Sequence, residues 1–94
     1  MSTEALAGAF ALRNITAEQF RILVLLADCE CEGHTRIEVN WLAERVEMPH
    51  EQLESELKRL RGTGDTPWFN VDALLIGSEL MLIGTIDWQG GRSL

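Results

Sequence analysis

The chain has 94 residues, with 8 basic and 15 acidic side chains and a formal net charge of −7. This length fits one domain with a single hydrophobic core, which we take to span residues 1–94. The acidic balance opposes long-range attraction to nucleic acid and to anionic membranes. No secretory signal pattern and no run of roughly 18 apolar residues occurs, so we expect a soluble, cytoplasmic protein without a membrane partner.

The first segment, residues 1–14, is rich in alanine and predicts a short helix over residues 2–13 in spite of the central Gly8. Two interpretations stay open. The segment is either an extra helix packed on the core or an arm that pairs with a second subunit. Leu6 and Phe10 are its candidate interface residues.

The second helix is predicted to begin at Thr16, because Gln19 follows at the spacing of a capping box. From Phe20 to Ala27 almost every residue is apolar, so this helix must be covered on more than one side. It is therefore either the central helix of the domain or has one flank in a dimer interface. Together with the apolar side chains of the first segment, this pattern predicts a homodimer.

Residues 29–34, with the sequence CECEGH, are interpreted as a polar loop that closes this helix at Gly33. The two cysteines are one residue apart, whereas a structural zinc site needs better spaced thiolates and a second pair of ligands. Neither histidine has a nucleophile at a recognisable spacing, and no glycine-rich phosphate loop or zinc-protease helix occurs. We expect no metal, no cofactor and no enzymatic activity.

Two short amphipathic helices are predicted between residues 35 and 64. Thr35 and Glu38 have the spacing of a capping box at the start of the first one. Trp41 lies off the apolar stripe of that helix, so we expect it to be partly exposed and stacked on Arg45, one turn later. Trp41 and Arg45 are therefore candidate interface residues.

The second of these helices begins near Pro49, where a first-turn proline costs no hydrogen bond, and is predicted to end at Gly62. The pair resembles the helix-turn-helix core of winged helix-turn-helix domains, as in many bacterial regulators and phage or plasmid replication initiators. The resemblance lies in the Leu42-Ala43 pair, the Met48-Pro49 turn and the ladder of Leu53, Leu57 and Leu60.

A β-hairpin is predicted over residues 68–88, with its tip at residues 77–79. Alternation places one set of apolar residues on a shared face towards the helices: Phe69, Val71, Ala73, Leu75, Leu80, Leu82 and Ile86. Trp68 and Trp88 stand near the two ends of the hairpin and are expected to form a cross-strand aromatic pair. Residues 89–94 are expected to be a flexible tail.

The resemblance implies an α+β, mainly α fold, with three core helices, a C-terminal hairpin as the wing and, here, an extra N-terminal helix. It also implies that the second helix of the motif enters the DNA major groove. The positions that this helix would present are His50, Glu51, Gln52, Glu54, Ser55 and Arg59. Glu47 stands where the family's turn usually carries glycine, so we expect a left-handed residue or an altered turn there.

The charges oppose the usual function of such a helix. Gln52 and Ser55 have groups that read base edges, but Glu51 and Glu54 would approach phosphates without a counterion to release. The predicted wing is also without lysine and arginine.

We therefore expect a non-enzymatic winged-helix protein that binds a protein partner. It would be an accessory or inhibitory factor, phage or plasmid encoded, with a basic partner as a special case. The alternative is a sequence-specific DNA-binding transcription or replication regulator.

Overall fold

The computed structural model describes residues 3–12, 15–61 and 68–91. Its elements in chain order are α1 (Thr3–Phe10), α2 (Ala17–Asp28), β1 (Glu30–Cys31), β2 (His34–Glu38), α3 (Val39–Val46), α4 (His50–Arg61), β3 (Phe69–Ile76), β4 (Glu79–Ile86) and α5 (Trp88–Gly91). The fold is α+β, with helices followed by a C-terminal antiparallel hairpin, as the sequence predicts. Of the tail predicted at 89–94, residues 89–91 belong to α5, and the rest lies outside the described residues, as does Gly62.

The strands form one antiparallel sheet in the order β1-β2-β4-β3. β3 and β4 pair along their whole length and are joined by a turn at Gly77 and Ser78. β2 pairs with the other side of β4, so that Ile37 lies beside Leu82. The segment between α2 and α3 is therefore tied to the C-terminal hairpin through β4.

One hydrophobic core lies between the helices and one face of this sheet. Its largest fully buried side chains are Phe69, Ile22, Leu23, Leu26, Leu42, Leu53, Leu82, Val46 and Val71. Burial of a side chain of this size stabilises the folded chain by about 1.5–3 kcal/mol relative to exposure. Because α2, α3, α4 and the hairpin all contribute to this core, their relative positions are fixed together.

The start of α2 is as the sequence predicts. Thr16 Oγ1 accepts a hydrogen bond from the Gln19 amide at 3.1 Å, and the Thr16 amide donates to Gln19 Oε1 at 3.1 Å. This reciprocal capping box satisfies two groups near the first turn of the helix, which begins at Ala17.

The flank of α2 that faces away from the core is covered by α1 of the same chain. Ala5, Ala9 and Ala27 are fully buried between the two helices, and Leu6 and Val24 pack against them. Small side chains on both helices allow this close approach. This flank of α2 is thus buried by α1 of the same chain. One reason for expecting a dimer at this flank is therefore removed.

The segment CECEGH is not a polar loop but a tight β-hairpin. Cys31 of β1 pairs with His34 of β2, and the turn between them has positive φ at both Glu32 (53°) and Gly33 (83°). Two left-handed residues in a two-residue hairpin define a type I′ turn, in which glycine is the residue with the least strain. α2 therefore ends at Asp28, and Gly33 turns a hairpin instead of closing the helix.

The capping box expected at Thr35 and Glu38 does not form. Both residues lie in β2, and α3 begins at Val39 without a side-chain cap. Thr35 is fully buried, and its hydroxyl donates to the carbonyl oxygen of Leu26 near the end of α2 at 3.4 Å. Residues 34–37 alternate between exposed and buried, which is a strand pattern, so the sheet has taken up a segment predicted as helix.

The turn between α3 and α4 follows the prediction for Glu47. This residue is left-handed, with φ 55° and ψ 46°, and its amide caps the end of α3. α4 begins directly after Pro49, whose carbonyl oxygen accepts the Leu53 amide at 3.0 Å. The missing amide hydrogen of Pro49 therefore costs the helix nothing.

Only the base of the β3–β4 hairpin lies on the helices. The register confirms the predicted shared face. Its buried members are Phe69, Val71, Leu82 and Ile86, whereas Ala73, Leu75 and Leu80, nearer the turn, are exposed. Each strand has eight residues and extends beyond the core, so the turn end projects from the body of the fold.

Trp68 and Trp88 lie outside the strands and do not form the expected cross-strand pair. Trp68 is buried before β3, and its ring meets Phe69 edge-on at a centroid distance of 5.8 Å. Trp88 begins α5, where it packs against Gly8 of α1 and donates from Nε1 to the Glu30 carboxylate at 3.3 Å. The register places Trp68 opposite Asp87, whose amide donates to the Trp68 carbonyl oxygen at 2.7 Å, so Trp88 lies one residue beyond the position of the expected pair.

Candidate functional site

The outer face of α4 presents the side chains predicted for a recognition helix. His50, Glu51, Gln52, Glu54, Ser55 and Arg59 are all exposed. The buried set on the same helix is Leu53, Glu56, Leu57 and Leu60. Because an α-helix repeats every 3.6 residues, this spacing separates the two sets onto opposite sides. The structure therefore brings the predicted residues together on one solvent-facing surface.

Two cations of α4 are paired with carboxylates of the same helix. Lys58 Nζ lies 3.4 Å from Glu54, and Arg59 Nη1 lies 3.2 Å from the buried Glu56. Oε2, the second carboxylate oxygen of Glu56, has no hydrogen-bond partner in the described part of the chain. The Lys58–Glu54 pair is exposed, and such a pair stabilises a helix by less than about 1 kcal/mol. Both pairs, however, neutralise charges that a DNA-binding helix would direct at phosphates.

Arg61, the third cation of this helix, connects α4 to the hairpin. Its Nε donates to the carbonyl oxygen of Val71 at 2.9 Å and lies 3.6 Å from the Asp72 carboxylate. Its side chain is only 32% exposed. Arg61 therefore acts as a structural contact between helix and hairpin.

A groove of about 340 Å³ lies between α4 and the hairpin, and we call it the α4–hairpin groove. Its apolar lining consists of Val39, Leu53, Leu57, Ala73, Leu80 and Leu82. Its polar lining consists of His50, Glu54, Arg61 and Asp72. A mainly apolar concavity with a few polar groups is the usual form of a binding site in proteins. Its size is sufficient for a few side chains of a bound segment.

The turn end of the hairpin is apolar and exposed, and we define the apolar tip as Leu74, Leu75, Ile76 and Leu80. These side chains are 51%, 72%, 42% and 42% exposed, respectively. No lysine or arginine occurs in β3 or β4, whose charged residues are Asp72 and Glu79. Contiguous exposed apolar residues of this kind mark interaction sites on soluble proteins.

Sequence reasoning missed the apolar tip because alternation assigned Leu75 and Leu80 to the core face. A signal was present in the run of Leu74, Leu75 and Ile76. Three consecutive large apolar residues exceed what a strand with one buried face requires, since every second residue points away from the core. This run indicates that both faces of the hairpin end are apolar.

The other candidate interface residues lie on different elements. Trp41 is 36% exposed, and the guanidinium carbon of Arg45 stands 5.0 Å from its ring centroid, in the cation–π contact that the spacing predicts. Phe10 is 67% exposed, with its ring 5.5 Å from that of Phe20. Leu6 packs towards α2. None of the four candidates lines the α4–hairpin groove.

A second cavity, of about 590 Å³, lies beside α1 and α5, and Glu4, Glu30 and Asp87 are the acidic residues in its lining. The neighbouring thiols are both free, with Cys31 exposed and Cys29 half-buried. Burial, and next the negative charge of Asp28, raise the pKa of Cys29. Within the described ranges, no three His, Cys, Asp or Glu side chains come together as a metal site requires.

None of the helices in residues 3–12, 15–61 and 68–91 is long and apolar enough to span a membrane. Comparison of the chain with models of known protein families, with curated protein sequences and with solved structures found no match.

Proposed function

We propose that this chain is a non-enzymatic protein of the winged-helix type and that its α4–hairpin surface binds a protein partner. α2, α3 and α4 correspond to the three helices of such a domain, and the β3–β4 hairpin corresponds to its wing. β2, which lies between α2 and α3, pairs with β4, as expected of a strand that anchors the wing. α1 is the additional helix.

The observation that carries the proposal is the apolar character of the α4–hairpin groove. In a DNA-binding domain of this type, α4 and the wing would supply cations to phosphates. Here the groove between them is lined by leucines from both sides, and the cations of α4 are held by Glu54, Glu56 and Asp72. The removal of apolar surface from water is favourable. An apolar protein segment can cover this surface, whereas a charged phosphate backbone cannot do so as well.

The charges around the groove favour a basic partner. Glu54 and Asp72 line it and have side chains that are 69% and 67% exposed, so each can accept further hydrogen bonds from a ligand. Glu51 is exposed on α4, one turn before Glu54. A segment with apolar residues for the lining and lysine or arginine beside them would therefore be both attracted and oriented. An accessory or inhibitory factor that acts on a basic protein requires a surface of this kind.

One observation favours the alternative, a sequence-specific DNA-binding regulator. His50, Gln52 and Ser55 are exposed at the start of α4, with donors and acceptors of the kind that read base edges. In that case the phosphate contacts of α4 would come from Lys58 and Arg59, which would first have to leave their carboxylate partners.

A salt titration of duplex binding tests the two functions against each other. The probe is a mixed pool of DNA duplexes, and the proteins are the full chain and its Glu51→Gln, Glu54→Gln double variant. The matched control is the Glu4→Gln, Glu18→Gln variant, which changes the net charge equally at exposed first-turn sites of other helices. We expect weak binding without sequence preference by the unmodified chain.

Submicromolar, sequence-selective binding that falls steeply with salt would overturn the proposal. Tight binding by the Glu51, Glu54 variant alone would support it, because those carboxylates would then exclude DNA.

A displayed library of random peptides provides the positive test. We expect selection on the full chain to enrich peptides that combine apolar and basic residues. Glu54→Lys should weaken them by at least about tenfold through charge reversal beside the groove, whereas Glu18→Lys should leave their affinity unchanged. Failure to enrich any such peptide, or equal effects of the two variants, would contradict the assignment of the site.

A further inference from the structure

β3 is an edge strand of the sheet that residues 3–12, 15–61 and 68–91 form. The strand order β1-β2-β4-β3 leaves one side of β3 without a neighbouring strand among the described residues. Proteins commonly protect such edges with lysine, proline or a bulge. From Phe69 to Ile76 the strand has neither lysine nor proline, and its pairing with β4 proceeds residue by residue without a bulge.

The turn determines which backbone groups of β3 face this edge. A two-residue turn makes Ile76 and Glu79 a mutually hydrogen-bonded pair, and such pairs then alternate along the strands. The odd-numbered residues of β3 therefore direct their N–H and C=O groups away from β4. The Arg61 hydrogen bond to the outward carbonyl oxygen of Val71 agrees with this parity. Beyond that contact, the outward groups belong to Ala73 and Leu75.

We propose that this edge pairs in antiparallel register with β3 of a second copy of the chain, about a two-fold axis at Leu74. Ala73 then stands opposite Leu75 of the second copy, and the two equivalent pairs allow about four backbone hydrogen bonds. The Arg61 contact to Val71 stays intact, because the pairing starts beyond it.

On the sheet face towards the helices, this register aligns apolar side chains across both copies. Leu80 and Leu75 are neighbours within one hairpin, as are Ala73 and Leu82. The pairing places Leu75 of one copy beside Ala73 of the other. Each row across the four strands then consists of Leu80, Leu75, Ala73 and Leu82, all of which are apolar. Cross-strand pairs of this kind stabilise a sheet by about 0.2–1 kcal/mol each.

On the opposite face, the central row is also apolar. Leu74 lies on the axis and is therefore opposite Leu74 of the other copy. With Met81 beside each Leu74, the row consists of two leucines between two methionines. Asp72 is placed opposite Ile76 of the second copy, so no two carboxylates face each other directly. The register thus covers the apolar tip on both faces without pairing like charges.

The second copy is the occupant because the edge is complementary to itself. The outward backbone groups, the exposed apolar side chains and the absence of facing like charges coincide over residues 72–76. In an isologous interface the same patch of both copies is in contact, so this patch must be complementary to its own copy after a two-fold rotation.

The register also keeps the two Arg61 contacts apart. At about 3.3 Å per residue, the two Val71 positions, each bonded to the last residue of an α4 helix, are roughly 20 Å apart along the strands.

The first test is the mass of the full chain by sedimentation equilibrium at micromolar concentration. We expect two chains for the unmodified protein and for Asn70→Lys, which adds the same charge on the same strand face outside the paired stretch. Leu74→Lys should raise the dimer dissociation constant by more than about tenfold, because two ammonium groups would meet at the axis. Leu74 is half exposed, so the variant should fold, and circular dichroism checks this.

The second test fixes the register by disulfide formation, in a chain carrying Cys29→Ser and Cys31→Ser. Leu74→Cys should oxidise to a covalent dimer, since residues opposite each other at the axis bring their Cβ atoms within disulfide range. Asn70→Cys should stay unlinked, because the register separates the two copies of residue 70. A monomeric unmodified chain would overturn the proposal. So would a dimer that survives Leu74→Lys and does not link through Leu74→Cys.

This dimer shares Ala73, Leu80 and Leu82 with the lining of the α4–hairpin groove, but the two proposals have separate readouts. Loss of peptide binding with an intact dimer would reject the groove alone, and a monomer that still binds basic peptides would reject the strand pairing alone.

Discussion

Replacement of Gly84 by alanine tests the close approach of β4 to β3. Gly84 lies in β4 between Thr35 of β2 and Val71 of β3. A β-carbon added there would stand 2.7 Å from the α-carbon of Val71 and nearer still to the carbonyl oxygen of Asn70. Both contacts are to backbone, so no side-chain rotation can relieve them. The two strands would have to separate locally.

The expected cost follows from three contributions. Overpacking of this kind costs about 1–3 kcal/mol. One or two strained ladder hydrogen bonds add about 1 kcal/mol each. Alanine has less conformational freedom than glycine in the unfolded chain, and this stabilises the folded state by about 0.4–1 kcal/mol. We therefore expect Gly84→Ala to lower the free energy of unfolding by roughly 2–4 kcal/mol, out of about 5–14 kcal/mol for a domain of this length.

Urea unfolding followed by tryptophan fluorescence measures this loss, because Trp68 is buried at the base of the hairpin. Thr85→Ala is the matched control, since Thr85 is the next residue of β4 and is exposed, and it should change stability by less than about 1 kcal/mol. A loss below about 0.5 kcal/mol for Gly84→Ala, with an unchanged denaturant slope, would refute the register of the sheet at Gly84.

Two further predictions concern α4 and the thiols. Leu57→Ala should lower the free energy of unfolding by about 2–5 kcal/mol, because Leu57 is 5% exposed in the core. Ser55→Ala on the exposed side should change it by less than about 0.5 kcal/mol, and equal urea midpoints for the two variants would disprove the helix register. Iodoacetamide at mildly alkaline pH should modify Cys31 faster than Cys29, whose pKa is raised by burial and by Asp28. Mass spectrometry of partly alkylated protein measures both rates, and faster modification of Cys29 would contradict its burial.

The helix starts show how far local signals can determine the fold. Thr16 and Gln19 predict a capping box correctly, because an apolar helical run follows them. Thr35 and Glu38 have the same spacing, yet they lie in a strand that pairs with β4 from a distant part of the chain. A capping signal describes only local hydrogen bonds, whereas burial of Thr35 in the sheet is decided by tertiary contacts.

Local signals likewise predict one part of the candidate site and not the other. Helical periodicity is sufficient to predict which residues of α4 are exposed, and it does so for His50 through Arg59. It is not sufficient to predict the groove or the apolar tip. Both depend on how much of the hairpin the helices cover, and alternation along β3 is identical for Val71, which is buried, and Leu75, which is not. That difference arises only when separate elements pack together.

The contact between α1 and α5 couples two helices that are far apart in sequence. Trp88 rests against Gly8, and its indole packs on the cluster formed by Ala5, Ala9 and Ala27. Detachment of α1 would uncover one side of this indole, which also packs on the main core, and detachment of α5 would uncover part of the alanine cluster. Neither helix can therefore fray independently at low cost, so their amides should share one opening free energy in hydrogen exchange. We therefore expect α1 and α5 to open as a single cooperative unit, although more than seventy residues separate them in the chain.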